Sequence, residues 1–344
     1  MPSSKRSTNT KSPSRRAART TRKGLRILVT GINNALIMGF VRLLDTNPQV
    51  EKLVLCDVLR PTQMFDRGQF EHLDLALPDS GDTLVRLMTT EKIDTVVHGA
   101  FLANPARDPA WAHELEAIGS MHVLDACAAV GVKHLVLKST TMVYGAHPDT
   151  PAFLEEDHEL RGDPTSRWVH DKLQADKHVQ AFAVEHPEVK VTILRFGTVL
   201  APSITDYMAR YLGRAIVPTV AGFDPVLQFL DLEDAAEALR RVVMNRQSGV
   251  FNIVSEDVLP LSAVLRLGQR VPIPVPRTIF HGLSQTLWRA QLVDMPPRFL
   301  DYLCYSWTAD PARARKQLDF RARRSSRAVV TAFYQDTQQQ RHGV

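Results

Sequence analysis

Leu25-Arg26-Ile27-Leu28-Val29-Thr30-Gly31 is the stretch whose reading decides the fold. It is a short apolar run that breaks at a Thr-Gly pair. Runs of this length belong to strands buried on both faces, as in parallel sheets. Glycine at the break suits a tight turn, because it reaches backbone angles that other residues avoid. From about Ala35 to Leu44 the apolar spacing becomes helical. The segment therefore reads as strand, turn, helix.

The same rhythm continues outward. Lys52 to Cys56 reads as a strand ending at Asp57, and a helix near Thr83 to Thr89 precedes a strand from Asp94 to Val97. A long helix is expected from about Trp111 to Ala129, a strand from Lys133 to Lys138, a second long helix from Ser166 to Val184, and a strand from Val191 to Phe196. Alternating strands and helices predict a parallel, doubly wound α/β sheet with its crevice at the carboxyl ends of the strands.

After Phe196 the rhythm changes. Gln228 to Leu230 and Val250 to Ile253 are strand-like, and a helix is expected from Glu233 to Val243. Pro272, Pro274 and Pro276 rule out regular helix there, and Asp310-Pro311 reads as a helix start. The expected division is a basic tail over 1–23, a nucleotide-binding domain over 24–200, and a smaller lobe over 201–335 with segments returning to the first domain.

The net charge of +5 is unevenly placed: the first 23 residues hold eight Lys or Arg and no acid, which leaves the rest near −3. A tail of this composition is expected to be disordered. It could meet anionic partners, but a solvated arm is the plainer reading. No apolar signal region precedes the first strand, and no apolar run is long enough to span a bilayer. The three cysteines, Cys56, Cys127 and Cys304, are scattered, which suits free thiols in a reducing cytoplasm. No spacing suggests a metal site, and no nucleophile motif appears.

Several segments in this order resemble the extended short-chain dehydrogenase/reductase family of NAD-dependent epimerases and dehydratases. They are Val29-Thr30-Gly31, Asp57, Asp74-Leu75, Val96-Val97-His98, Lys138 to Gly145, Trp168 to Lys172, and Ile193-Leu194-Arg195. The nearest likeness is to UDP-glucose 4-epimerase-like proteins. The resemblance implies an NAD(P)-binding Rossmann fold, a C-terminal substrate lobe, a nucleotide-sugar ligand, and dimerisation through the two long helices.

The resemblance also assigns site residues. The family's Gly-x-x-Gly-x-x-Gly turn maps onto Gly31, Asn34 and Ile37, with Gly39 two residues late. Asn34 is tolerable because Asn visits positive φ readily. Ile37 brings a branched side chain where helix and sheet should meet. Asp57 is the expected ribose acid, favouring NAD over NADP although Arg60 lies nearby, while Asp74 and His98 are the other expected cofactor residues. Cofactor binding is expected to be weakened.

The family's Ser/Thr, Tyr and Lys fall on Thr140, Trp168 and Lys172. Positions 168 and 172 share one helical face. An indole offers only an N–H donor, whereas a phenol can exchange a proton. Catalysis by the family's route should therefore be impaired or lost. Tyr144 is the candidate substitute acid, and His170 points to the opposite face of the helix. Glu116 stands where the family has Asn, and a carboxylate there is expected to pair with Lys172.

Overall fold

The computed structural model describes residues 24–162, 166–290 and 297–342. The expected tail therefore lies outside the described residues. The first half runs β1 (Leu25–Thr30), α1 (Ala35–Asp45), β2 (Val50–Asp57), β3 (Gly68–His72), α2 (Ser80–Thr90), β4 (Thr95–His98), α3 (Pro109–His113), α4 (Gly119–Val130) and β5 (His134–Thr140). It continues through α5 (Arg167–Glu185) and β6 (Lys190–Phe196). The second half holds β7 (Thr198–Leu200), α6 (Tyr207–Gly213), β8 (Ile216–Val220), β9 (Val226–Leu227), β10 (Phe229–Asp231), α7 (Leu232–Asn245), β11 (Gly249–Ile253) and β12 (Leu259–Pro260). It ends with α8 (Leu261–Leu267), β13 (Val271–Val275), α9 (Arg277–Arg289), α10 (Ala312–Gln317) and α11 (Ser326–His342).

Seven strands form one parallel sheet in the order β3-β2-β1-β4-β5-β6-β11. The expected doubly wound fold is therefore the observed one. Strand side chains alternate between its two faces. Ile27, Val29, Leu53 and Leu55 pack with α1 and α7, whereas Leu28, Val54 and Cys56 pack with α2, α4 and α5. The chain order reverses between β1 and β4, which opens the crevice there. A separate apolar cluster joins Tyr207, Phe229, Phe299, Tyr302 and Trp307 to Met142 and Trp168. This aromatic cluster seats the C-terminal part of the chain against the ends of β5 and α5.

Several elements differ from the sequence reading. The expected helix from Trp111 is interrupted by a π-helical turn, Glu114–Ile118, between α3 and α4. β3 was not expected, because Gly68-Gln69-Phe70-Glu71-His72 has little apolar character and stands at the sheet edge. The proline-rich Val271–Val275 is extended and pairs with β8, away from the main sheet. The helix start at Asp310-Pro311 is shifted by one residue: Pro311 is the N-cap of α10 rather than its first residue, and Asp310 Oδ1 accepts from Ala312 N at 2.7 Å just ahead of it. All three cysteines are free and buried.

Candidate functional site

Two cavities open where the strand ends diverge. The first, of about 260 Å³, lies over the ends of β1, β2 and β4 and is walled by Gly31, Asp57, Leu73, Leu75, Phe101 and Leu115, among others. The second, of about 140 Å³, lies over β5 and β6 and is bounded by Lys138, Ser139, Thr140, Trp168, Lys172, Asp206 and Tyr207, among others. Asn34, Leu102 and Ala103 contribute to both, so the cavities adjoin across the switch point.

In the first cavity, Gly31 turns at φ +76°, and a Cβ there would stand 2.5 Å from Gly99 O. Only glycine fits. Asn34 acts differently from expectation. Its φ is −70°, and its Oδ1 accepts from Leu36 N at 3.1 Å, so it caps α1 rather than occupying a left-handed turn. Ile37 is also corrected. It is buried in the core, lines neither cavity, and fills the space left by Gly99, where a Cβ would come within 2.4 Å of its Cδ1. Gly39 then lets α1 approach α7 at Ala236.

Asp57 is held at the cavity rim by Asn33 N, which donates to Oδ2 at 3.1 Å, and by Val58 N, which donates to Oδ1 at 2.8 Å. Arg60 lies over the Phe70 ring. Asp74 does not line the cavity; its Oδ1 accepts from Ala76 N and its neighbours Leu73 and Leu75 form the wall instead. His98 is likewise withdrawn. Its Nδ1 and Nε2 meet the hydroxyls of Thr30 at 2.8 Å and Ser120 at 2.9 Å. Burial, with Lys138 beside it, lowers its pKa to about 3. It is a neutral strut beneath the site.

The second cavity brings Thr140, Trp168 and Lys172 together, as expected of that trio. Trp168 Nε1 donates to Leu102 O at 3.2 Å, and its ring packs edge-on against Tyr207 with centroids 5.3 Å apart. Lys172 Nζ donates to Glu116 Oε1 at 2.6 Å and lies 4.9 Å from the Trp168 ring centroid. Glu116 sits in the π-helical turn, a distortion often found at functional sites. Burial pushes the Glu116 carboxyl up and the Lys172 ammonium down, and each partner's opposite charge opposes the shift. Glu116 Oε2 is buried without a hydrogen-bond partner.

Tyr144 is not part of this cavity. Its hydroxyl donates to Asn252 Oδ1 at 2.8 Å and accepts from Arg195 Nη1 at 2.9 Å. Arg195 in turn pairs with Asp176, which accepts from Ser139 Oγ at 2.6 Å. Burial raises the Tyr144 pKa. The tyrosine links β5, β6 and β11 and lines neither cavity.

Sequence reasoning passed over Lys138 and Asp206, both of which face the second cavity. Lys138 carried a signal: it is a charged residue in an otherwise apolar strand, directly before Ser139 and Thr140. Burial and the neighbouring Lys172 lower its pKa to about 8, with Glu116 and Asp206 opposing.

A doubly wound sheet with its crevice at the switch point defines a Rossmann-type fold. Comparison with known proteins narrows the class: the chain belongs to the NAD dependent epimerase/dehydratase family, which matches residues 27–254. An uncharacterized protein of Mycobacterium tuberculosis is 31% identical over 301 residues, covering 86% of this chain and 79% of that one. The enzyme WbmG of Bordetella bronchiseptica, solved with NAD and UDP, shares the fold at a TM-score of 0.69 and 19% identity, covering 92% of this chain and 94% of that one. UDP-glucose 4-epimerase of Thermotoga maritima, solved with UDP-glucose, does so at 0.68 and 18%, covering 92% and 99%. Among the described residues no helix is long and apolar enough to cross a membrane.

Proposed function

We propose that this protein binds NAD and a nucleotide-sugar in the two adjoining cavities, and that the tyrosine-dependent catalysis of its family is absent. One observation carries the reading. Position 168 holds an indole whose N–H is already given to Leu102 O, four residues before a lysine drawn onto Glu116. Among the described residues no phenol takes that place: Tyr207 lines the same cavity, but its hydroxyl meets Met142 Sδ at 3.7 Å.

The first cavity fits the adenosine half of a dinucleotide. The apolar walls of Leu73 and Leu75 suit a base, and the fixed carboxylate of Asp57 suits the ribose hydroxyls and repels a 2′-phosphate. The N-terminus of α1, cleared of Ile37, faces the phosphates. The nicotinamide half fits less well, because Lys172 must leave or share Glu116 to reach a ribose. Affinity is correspondingly weakened. When bound, the nicotinamide supplies two-electron redox chemistry. Thr140 orients a sugar hydroxyl, and Trp168 with Tyr207 excludes water from one wall. Dimerisation through α4 and α5 belongs to the same reading and is checked by sedimentation.

Calorimetry on the full chain with NAD, NADH and UDP-glucose tests this function. Binding of NAD with Kd in the micromolar to millimolar range is expected. Absence of heat with every ligand at millimolar concentration removes it.

A further inference from the structure

The second cavity contains one amine that the family's chemistry does not use. Lys138 leaves β5 two residues before Thr140 and lines both the 140 Å³ cavity and a small recess of about 20 Å³. Phe101, Leu137, Thr140 and Lys172 also line that recess. Among the described residues no hydrogen bond or ion pair engages Lys138, whereas Lys172 is bound to Glu116. A cation half-buried and unpartnered is costly unless a ligand completes it or the amine releases its proton.

We propose that Lys138 is the catalytic residue that exchanges the proton of a sugar hydroxyl in this pocket, in the role an indole at position 168 cannot fill. This rests on the dinucleotide and nucleotide-sugar reading above. The neutral amine accepts the hydroxyl proton: the O–H bond breaks, an N–H bond forms, and the electron pair remains on oxygen. Thr140 and the ammonium so formed hold that oxygen. The C–H bond of the carbon bearing it would then break, with the hydride (two electrons and one proton) passing to an oxidised nicotinamide dinucleotide when one is bound, and the electron pair on oxygen would close the carbonyl. Reduction from either face returns the proton from Lys138.

The charges around the amine favour this use. Lys172 on α5 is a like charge, Glu116 in the π-helical turn and Asp206 ahead of α6 are opposite ones, and His98 at the end of β4 is neutral. Burial and Lys172 lower Lys138 to about 8 against the pull of Glu116 and Asp206, so both protonation states are present near neutral pH. Tyr207 lines the same cavity, but its hydroxyl meets Met142 Sδ at 3.7 Å, and burial and Asp206 push it well above the ordinary phenol range.

The test combines two readouts on the full chain. Trace acetylation at graded pH, read by mass spectrometry, should give Lys138 a midpoint near pH 8, well below the ordinary lysine value of 10.5, and NAD with UDP-glucuronic acid should protect it. In single turnover, UDP-glucose, UDP-glucuronic acid or dTDP-glucose should reduce bound NAD. Lys138→Met and Lys138→Arg should both slow that step roughly 100-fold while NAD affinity holds, since arginine keeps the charge but cannot release the proton. Retained reduction in Lys138→Arg, or no reduction by any of the three sugars despite NAD binding, overturns the assignment. A midpoint for Lys138 at that ordinary lysine value overturns it as well. Failure of NAD to bind at all is a separate result: it sinks the reading beneath, and this assignment with it.

Discussion

Glu116 Oε1 accepts from Lys172 Nζ and from Leu102 N, each at 2.6 Å, so a single carboxylate oxygen ties α5 to the loop after β4. Trp168 closes the same loop from the other side by donating to Leu102 O. Glu116 and Trp168, at the positions where the resemblance expects Asn and Tyr, thus hold the backbone of one residue on both sides, at its N–H and at its carbonyl. The two substitutions make one structural unit.

Breaking that unit on one side leaves a charge buried alone. Glu116→Leu or Lys172→Met is expected to cost about 3–5 kcal/mol of stability, as for other buried pairs that lose one member. The double variant should lie much closer to the parent protein. Urea unfolding of the four proteins measures the coupling; additive losses would show that the pair contributes nothing specific.

Restoring the family's chemistry needs both positions. Trp168→Tyr alone supplies a phenol, but Lys172 stays bound to Glu116 and cannot lower its pKa. Trp168→Tyr with Glu116→Asn frees the lysine and should speed reduction of bound NAD by UDP-glucose roughly 100-fold or more over the parent. Trp168→Tyr also gives up the Leu102 hydrogen bond and part of the aromatic packing, so a stability loss of about 1–3 kcal/mol should accompany it. Equal rates for the single and double variants would place Glu116 outside the chemistry.

Asp57 offers a test of cofactor choice. Its carboxylate is fixed by two backbone N–H groups and has lone pairs left for ribose hydroxyls. Asp57→Ala should weaken NAD binding about tenfold, the effect of losing one charged hydrogen bond. NADP should be affected less, because the variant also removes repulsion of the 2′-phosphate. Titrations with both dinucleotides compare the ratios directly.

Much of this architecture was legible in the sequence, and the reasons differ by element. The strands of the parallel sheet are apolar runs bounded by Gly or Asp, so their period alone exposed them, while β3 escaped because an edge strand needs little apolar content. The π-helical turn around Glu116 was invisible because a single turn of five residues is too short to set a period of its own. The pairing of Glu116 with Lys172 could be anticipated from the departures at two family positions. Asn34 and Ile37 were read through the family's glycines, and their actual roles depend on partners elsewhere: the free N–H of Leu36 and the missing side chain of Gly99. Tyr144 looked available because nothing local reveals that Arg195 and Asn252 converge on it.

The exchange of bulk between Ile37 and Gly99 makes a stability prediction. A Cβ on Gly99 would press on Ile37 Cδ1 at 2.4 Å, so Gly99→Ala should cost about 1–3 kcal/mol by overpacking. Ile37→Ala alone should cost about 2–5 kcal/mol by leaving a cavity. Combined, they should lose less than the sum, because the new methyl occupies part of the vacated space. Strict additivity in thermal or urea unfolding would show that the two sites are independent.

Two buried histidines contribute to the response to acid. Burial holds His98 at about 3 and His134 at about 4, both below the ordinary histidine value of 6.5. The unfolded chain therefore binds protons that the folded chain refuses. Stability is complete above about pH 6.5 and falls with acid, through His134 until about pH 4 and through His98 until about pH 3. Each contributes a slope approaching 1.4 kcal/mol per pH unit inside its window. His98→Asn replaces the ring with a neutral group that still meets hydroxyls, so it should lower the slope between pH 6 and 4.5 by about 1 kcal/mol per pH unit, the share of one histidine, while that of His134 remains. Unfolding free energies measured across that range, at constant ionic strength, decide it: an unchanged slope in His98→Asn would mean that the imidazole accepts a proton in the folded protein and that Thr30 and Ser120 do not hold it neutral.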